Sequence, residues 1–224
     1  MRMRVKEQFN RLMDYLFPPH CIFCSKVIPV GKQICDKCSQ EINPINSVKR
    51  INLVECGKTI TCAVPYVYQN QVRNSIIQFK FHGKRQFAKF YAEKMAKLIM
   101  ESYCTLHIDI VTCVPISQNR LNIRGYNQSE LIALELVKLL NLPYKSLLAK
   151  KSDNKEQHKL TMQERKKNVK GVYMAINPDL IDDKTILLID DIVTTGATVS
   201  ECAKELFLAN ANDVICAAVA EVIF

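Results

Sequence analysis

A chain of 224 residues, 48% hydrophobic and 24% charged, has the make-up of a globular protein with one sizeable core and room for a small appendage. No apolar run approaches the roughly 20 residues that span a bilayer, which excludes an integral membrane segment. The charged N-terminus lacks the apolar stretch and cleavage site of a secretory signal, so the ten cysteines are expected to be cytosolic thiols and not a disulfide scaffold.

The net charge of +9 is unevenly spread. Residues 1–50 carry nine Lys/Arg against four acids, residues 73–97 seven against one, and residues 145–170 nine against three. Residues 171–224 reverse the sign, with two against nine. An anionic partner is expected, either a small polyphosphate or a nucleic acid.

In chain order, residues 4–17 place Val5, Phe9, Leu12, Met13 and Leu16 on one helical face. Such a basic amphipathic helix packs on its own protein or rests on a membrane surface or partner. The second reading would put a cytoplasmic protein peripherally at the inner face of the membrane. Pro18-Pro19 ends the helix.

Cys21-x2-Cys24 and Cys35-x2-Cys38 follow, ten residues apart. Each pair can bring two thiolates to one metal, and two such turns complete a tetrahedral set. Pro29 and Gly31 suit the reversal between them. Structural Zn2+ is the favoured occupant, ahead of an iron–sulfur cluster or redox dithiols, because so small a unit needs a metal to fold. Lys26, Lys32 and Lys37 give the module a basic surface that could meet nucleic acid. Asn43-Pro44 marks a boundary, giving a helix and zinc module over 1–44 and a second domain over 45–224.

Beyond it, residues 59–68 read as strand and 71–81 as helix, stopped by His82-Gly83-Lys84. Phe87, Phe90, Tyr91, Met95 and Leu98 define a second amphipathic helix. An apolar strand over 108–114 leads to a loop holding Arg120, Arg124, Gly125, Asn127 and Gln128. Paired Arg side chains match phosphate oxygens bidentately, so this loop can bind pyrophosphate; a solvated turn before the helix over 127–140 is the plainer alternative. Residues 150–168 read as a basic loop, either solvated or able to close over an anion. The predicted elements then run strand 185–189, helix 197–209, strand 213–220. That alternation points to an α/β fold with a parallel sheet covered on both faces.

The turn after the strand over 185–189 carries the most chemistry. Asp190-Asp191 is followed by Ile192-Val193-Thr194-Thr195-Gly196-Ala197-Thr198. Gly196 allows backbone N–H groups to approach an anion, and the helix that follows presents unpaired donors and a positive dipole end. Hydroxyls of Thr194, Thr195 and Thr198 add donors. Adjacent carboxylates suit ribose hydroxyls or a divalent cation better than a phosphate. Phosphate on one side and diol on the other describe a ribose 5-phosphate; a βα turn with solvated Asp and capping Thr is the alternative.

The string from Leu188 to Thr198 resembles the phosphoribosyl pyrophosphate (PRPP) motif of type I phosphoribosyltransferases. The resemblance implies that Asp190 and Asp191 contact the ribose hydroxyls, and that Val193, Thr194, Thr195, Gly196, Ala197 and Thr198 wrap the 5-phosphate. The wider order also resembles the ComF family of competence-associated proteins: cysteine pairs, Val114-Pro115, Arg124-Gly125-Tyr126-Asn127-Gln128, Gln157, Arg165, Asn168 and the Asp190 motif. The family's common Pro-Val-Pro reads Cys113-Val114-Pro115 here.

Two functions follow from the resemblance. One is a phosphoribosyltransferase of nucleotide metabolism that takes PRPP with Mg2+, with Asp190 and Asp191 serving catalysis, Arg120, Arg124 and Lys150 compensating the leaving pyrophosphate, and Gly125 among the PRPP-binding residues. The acceptor has no signature. The other is a protein of natural transformation that handles single-stranded DNA beside competence proteins and keeps a phosphoribosyl site for regulation. Few aromatics interleave with the basic residues, which weakens a base-stacking platform.

Overall fold

The computed structural model describes residues 18–151 and 169–223. The amphipathic segment over 4–17 and positions Gln157, Arg165 and Asn168 lie outside them.

A central sheet organises the chain. Its strands are β1 (Ser47–Leu53), β2 (Lys58–Val64), β3 (Tyr66–Val67), β4 (Ile110–Cys113), β7 (Thr185–Val193) and β8 (Asp213–Glu221), in the order β1-β2-β8-β7-β4, with β3 also on β8. Pairings of β8 with β2, β3 and β7, and of β7 with β4, are parallel. The β1–β2 hairpin is antiparallel, with Ser47 opposite Val64 and Leu53 opposite Lys58. The sheet is thus mixed at one edge. The sequence reading missed β1 because, although its burial alternates, apolar Val48 falls on the exposed series and charged Lys49 and Arg50 interrupt the apolar signal.

Strand β7 explains the layering. Successive strand residues face opposite sides. Leu187 and Ile189 enter a core shared with helices α2 (Asn70–Phe81), α3 (Phe87–Ser102) and α5 (Gln128–Leu140). Ile186 and Leu188 enter the other core, beneath helix α6 (Ala197–Leu208) and a small antiparallel sheet of β5 (Leu148–Lys150) and β6 (Tyr173–Ala175). Both faces of the strand are buried, which is why it reads as continuous apolar sequence.

The cysteine module, with the short helix α1 (Asp36–Glu41), belongs to the first core. Phe23, 2% exposed, meets Tyr66 and Phe90 edge-on at centroid distances of 5.9 and 5.6 Å. Ser25 and Gln78 exchange hydrogen bonds of 2.9 and 3.2 Å. No helix among the described residues is long and apolar enough to cross a membrane.

Two elements depart from the sequence reading. The segment before Gly125 is a helix, α4 (Gln118–Arg124), and not a loop; Ser117 caps it and none of its residues is buried, so no hydrophobic period announces it. Strand β7 runs past Ile189 to Val193, because β8 continues to pair with it through Val193 opposite Glu221.

Candidate functional site

The carboxyl ends of β4 and β7 and the amino ends of α5 and α6 converge, the usual place for a ligand in a parallel sheet. Asp190 continues the strand series that faces α6, and Asp191 the series that faces α2. Asp190 is 8% exposed; its Oδ1 accepts hydrogen bonds from the Asp191 amide at 2.8 Å and from Ser129 Oγ at 3.3 Å. Burial first, then the neighbouring Asp191 carboxylate, push its carboxyl up to about 7. The Asp191 amide, the Lys80 charge and the Ser129 hydroxyl act in the opposite direction. Asp191 has a different partner: Lys80 Nζ, from α2, lies 2.9 Å from Oδ1 and 2.8 Å from Oδ2.

The loop then turns into α6. Residues 192–199 line a small depression together with Asp190. Gly196 takes φ +79° as the residue preceding the helix, and no side chain caps the helix. Thr195 Oγ1 accepts a hydrogen bond from the Ala197 amide at 3.4 Å, folding the loop back on itself. The buried Tyr173 phenol of β6 is within electrostatic reach of Thr198, Asp190 and Arg120. The structure thus brings Arg120 and the Asp190–Thr198 loop around one tyrosine.

The second wall is built on Asn127. This residue is buried; its Nδ2 donates to the Val114 carbonyl at 3.0 Å, and its Oδ1 accepts from the Ser129 amide at 3.1 Å. One side chain therefore fastens the end of β4 to the start of α5. Gly125, at φ +73°, ends α4. Because residues 118–124 are helical, Arg120 and Arg124 stand one turn apart on neighbouring surface. Arg124 Nη1 donates to Gln128 Oε1 at 3.0 Å, and its guanidinium lies 5.0 Å from the Phe81 ring centroid. Arg85 donates to the Gly125 carbonyl at 3.0 Å and lies over the Tyr126 ring at 4.8 Å. The Tyr126 hydroxyl donates to the Phe79 carbonyl.

Those contacts clamp residues 79–85 onto residues 124–128, and they carry what the sequence reading missed. Lys80 and Tyr173 belong to the site, yet only the charge excess over 73–97 hinted at the first, and nothing local marked the second. Cys113, where the family's proline stands, ends β4 with its Sγ 3.3 Å from the Tyr144 hydroxyl; burial pushes this thiol up to about 12.

In the cysteine module, the sulfurs of Cys21, Cys24, Cys35 and Cys38 all lie within 4.8 Å of one another. Four thiolates around zinc at roughly 2.3 Å would stand roughly 3.8 Å apart, and Cys24 and Cys35 Sγ are 3.7 Å apart. The Cys35 amide donates to Cys21 Sγ and the Cys38 amide to Cys35 Sγ, both at 3.4 Å. Burial raises the Cys21 thiol, but amides of Cys24, Cys35 and Phe23 outweigh it and bring it down to about 7. Sulfurs gathered this closely and already receiving N–H donors fit structural zinc.

Comparison with known proteins agrees with both parts. Residues 12–50 match the double zinc ribbon domain, and residues 127–223 match the phosphoribosyl transferase domain. The DNA utilization protein YhgH of Escherichia coli K12 is 25% identical over 197 residues, 83% of each chain. Competence protein ComFC of Streptococcus pneumoniae is 30% identical over 153 residues, 66% of this chain and 63% of that one. Among solved structures, that of the allosteric regulatory enzyme of purine biosynthesis superposes with TM-score 0.40 and 22% identity. The match covers 58% of this chain and 25% of that enzyme, so the chain spans about a quarter of its length.

Fold and site define a phosphoribosyltransferase-type α/β protein with an N-terminal four-cysteine zinc ribbon. The particular arrangement, a zinc ribbon match ahead of a phosphoribosyl transferase match, goes with similarity to proteins named DNA utilization protein YhgH, Competence protein F and Competence protein ComFC.

Proposed function

We propose that the chain binds PRPP with Mg2+ at the loop from Asp190 to Thr198 and transfers its phosphoribosyl group to an acceptor during the handling of DNA taken up by the cell. The observation that carries this reading is the placement of two carboxylates at the end of β7, immediately before a glycine-started, uncapped helix.

Each part has a physical role. The uncapped start of α6, with hydroxyls of Thr194, Thr195 and Thr198, receives the 5-phosphate. Asp190 and Asp191 accept hydrogen bonds from the ribose hydroxyls and favour the positive charge that develops on the ribose as pyrophosphate leaves. Arg120 and Arg124, set on α4 with Gly125 at its end, face the departing charge. Magnesium, when bound with PRPP, neutralises the diphosphate. The rest of catalysis is positioning.

The process is taken from the names of the relatives, one a DNA utilization protein and another a competence protein. We place it in the cytoplasm, in contact with single-stranded DNA and the competence machinery. DNA contact by the three basic segments predicts an affinity that falls steeply with salt.

Thermal unfolding with saturating ligands tests the site. PRPP with magnesium at about 100 times its Kd should add about 2.7 kcal/mol of stability, and ribose 5-phosphate clearly less. Equal stabilisation by inorganic phosphate, or none by PRPP, would overturn the reading.

A further inference from the structure

Two adjacent carboxylates at a strand end, one of them buried, repel each other and resist ionisation together. Asp190 answers this with neutral donors, the Ser129 hydroxyl and the Asp191 amide. Asp191 answers it with a cation, Lys80, whose ammonium lies 2.9 and 2.8 Å from its two oxygens. Both partners are mostly shielded from solvent, with side chains 16% and 15% exposed, so this pair is not an ordinary surface salt bridge.

The segment that carries Lys80 is itself fixed. Phe79 accepts through its carbonyl from Tyr126, Phe81 lies under the Arg124 guanidinium, and Arg85 donates to the Gly125 carbonyl. Each contact reaches residues 124–126, which flank the second wall of the site. The helix bearing Lys80 is therefore docked on the same wall that carries Arg124, and the cation is delivered to the carboxylates from a rigid element.

We propose that Lys80 is the positioning residue of the carboxylate pair: it holds Asp191 oriented so that Asp190 and Asp191 together present acceptors to the ribose hydroxyls. Its ligand rests on the phosphoribosyl reading above; its geometry does not. Loss of the ammonium leaves Asp191 free to rotate and removes the positive charge beside Asp190, so ligand affinity falls although Lys80 contacts no 5-phosphate.

The test compares wild type, Lys80→Met and Lys80→Arg by calorimetric titration of PRPP with magnesium from pH 6 to 9, and by ligand-free crystal structures. Lys80→Met should bind on the order of 10-fold to 100-fold more weakly, with its binding profile displaced to higher pH. Lys80→Arg should recover most of the affinity, which a purely structural loss would not allow. In the ligand-free crystals, Asp191 should leave its orientation in Lys80→Met and keep it in Lys80→Arg. Unchanged affinity and pH profile in Lys80→Met would overturn the proposal. Should wild type fail to bind PRPP, the phosphoribosyl reading falls, and the ligand-free structures decide Lys80: an Asp191 carboxyl unmoved in Lys80→Met overturns its positioning role.

Discussion

Gly196 and Ile51 meet at the edge of the candidate site: a β-carbon on Gly196 would lie 3.2 Å from Cγ2 and 3.3 Å from Cδ1 of Ile51. The phosphate-type loop is thus backed by the antiparallel hairpin at the sheet edge. Gly196 is required twice, by its φ of +79° and by the closeness of Ile51. Gly196→Ala should cost about 1–2 kcal/mol in stability from the backbone conformation alone and should abolish PRPP binding. Ile51→Val, added to make room, should restore little of either. A Gly196→Ala protein with wild-type melting and binding would refute this account of the loop.

The pH dependence follows from Asp190. Its folded carboxyl titrates at about 7, well above the roughly 3.9 of an unfolded aspartate. The folded state therefore binds the extra proton: the stabilising contribution is complete below the unfolded value and is lost as pH rises through about 7. Between pH 4 and 8 the wild type should lose stability relative to Asp190→Asn. Ligand binding runs the other way, because ribose hydroxyls need an ionised acceptor, so affinity should rise through neutrality. Denaturant unfolding and calorimetry over that range check both signs, and parallel pH curves for wild type and Asp190→Asn would contradict them.

Metal loss should reach beyond the zinc ribbon. Phe23, between the ligands Cys21 and Cys24, packs on Tyr66 and Phe90 in the core beneath the sheet. Cys24→Ser, or chelation, should lower the melting temperature of the whole protein, not release a separate early transition. Phe23→Ala with zinc retained should cost about 3–5 kcal/mol. Two resolved transitions in calorimetry would show instead that the ribbon unfolds by itself.

Asn127→Ala removes the Val114 carbonyl's partner and the acceptor for the Ser129 amide. The expected loss is about 2 kcal/mol, together with weaker pyrophosphate binding, because the wall carrying Arg124 and Gln128 is no longer tied to β4. Unfolding and pyrophosphate titration of this one variant measure both effects; a loss of stability without a loss of binding would detach Asn127 from the site.

The sequence made some of this plain and hid the rest for physical reasons. The run from Thr185 to Thr198 was legible because it combines an apolar strand buried on both faces with residue types that anion binding needs locally. The cysteine spacing was legible because metal geometry is local too. The hairpin strand Ser47–Leu53 was not, since its edge position leaves alternate residues in water. Helix Gln118–Arg124 buries nothing, so it carries no period. Lys80 lies 111 positions from Asp191, and Tyr173 comes within electrostatic reach of Asp190 from a different sheet; only folding brings either to the site.

The most direct measurement is calorimetric titration of PRPP with magnesium into zinc-loaded protein, beside the Asp190→Asn, Asp191→Asn double variant. The account predicts saturable binding in the micromolar range by the wild type and none by the folded double variant. Absence of binding by the wild type, or equal binding by the double variant, would contradict it.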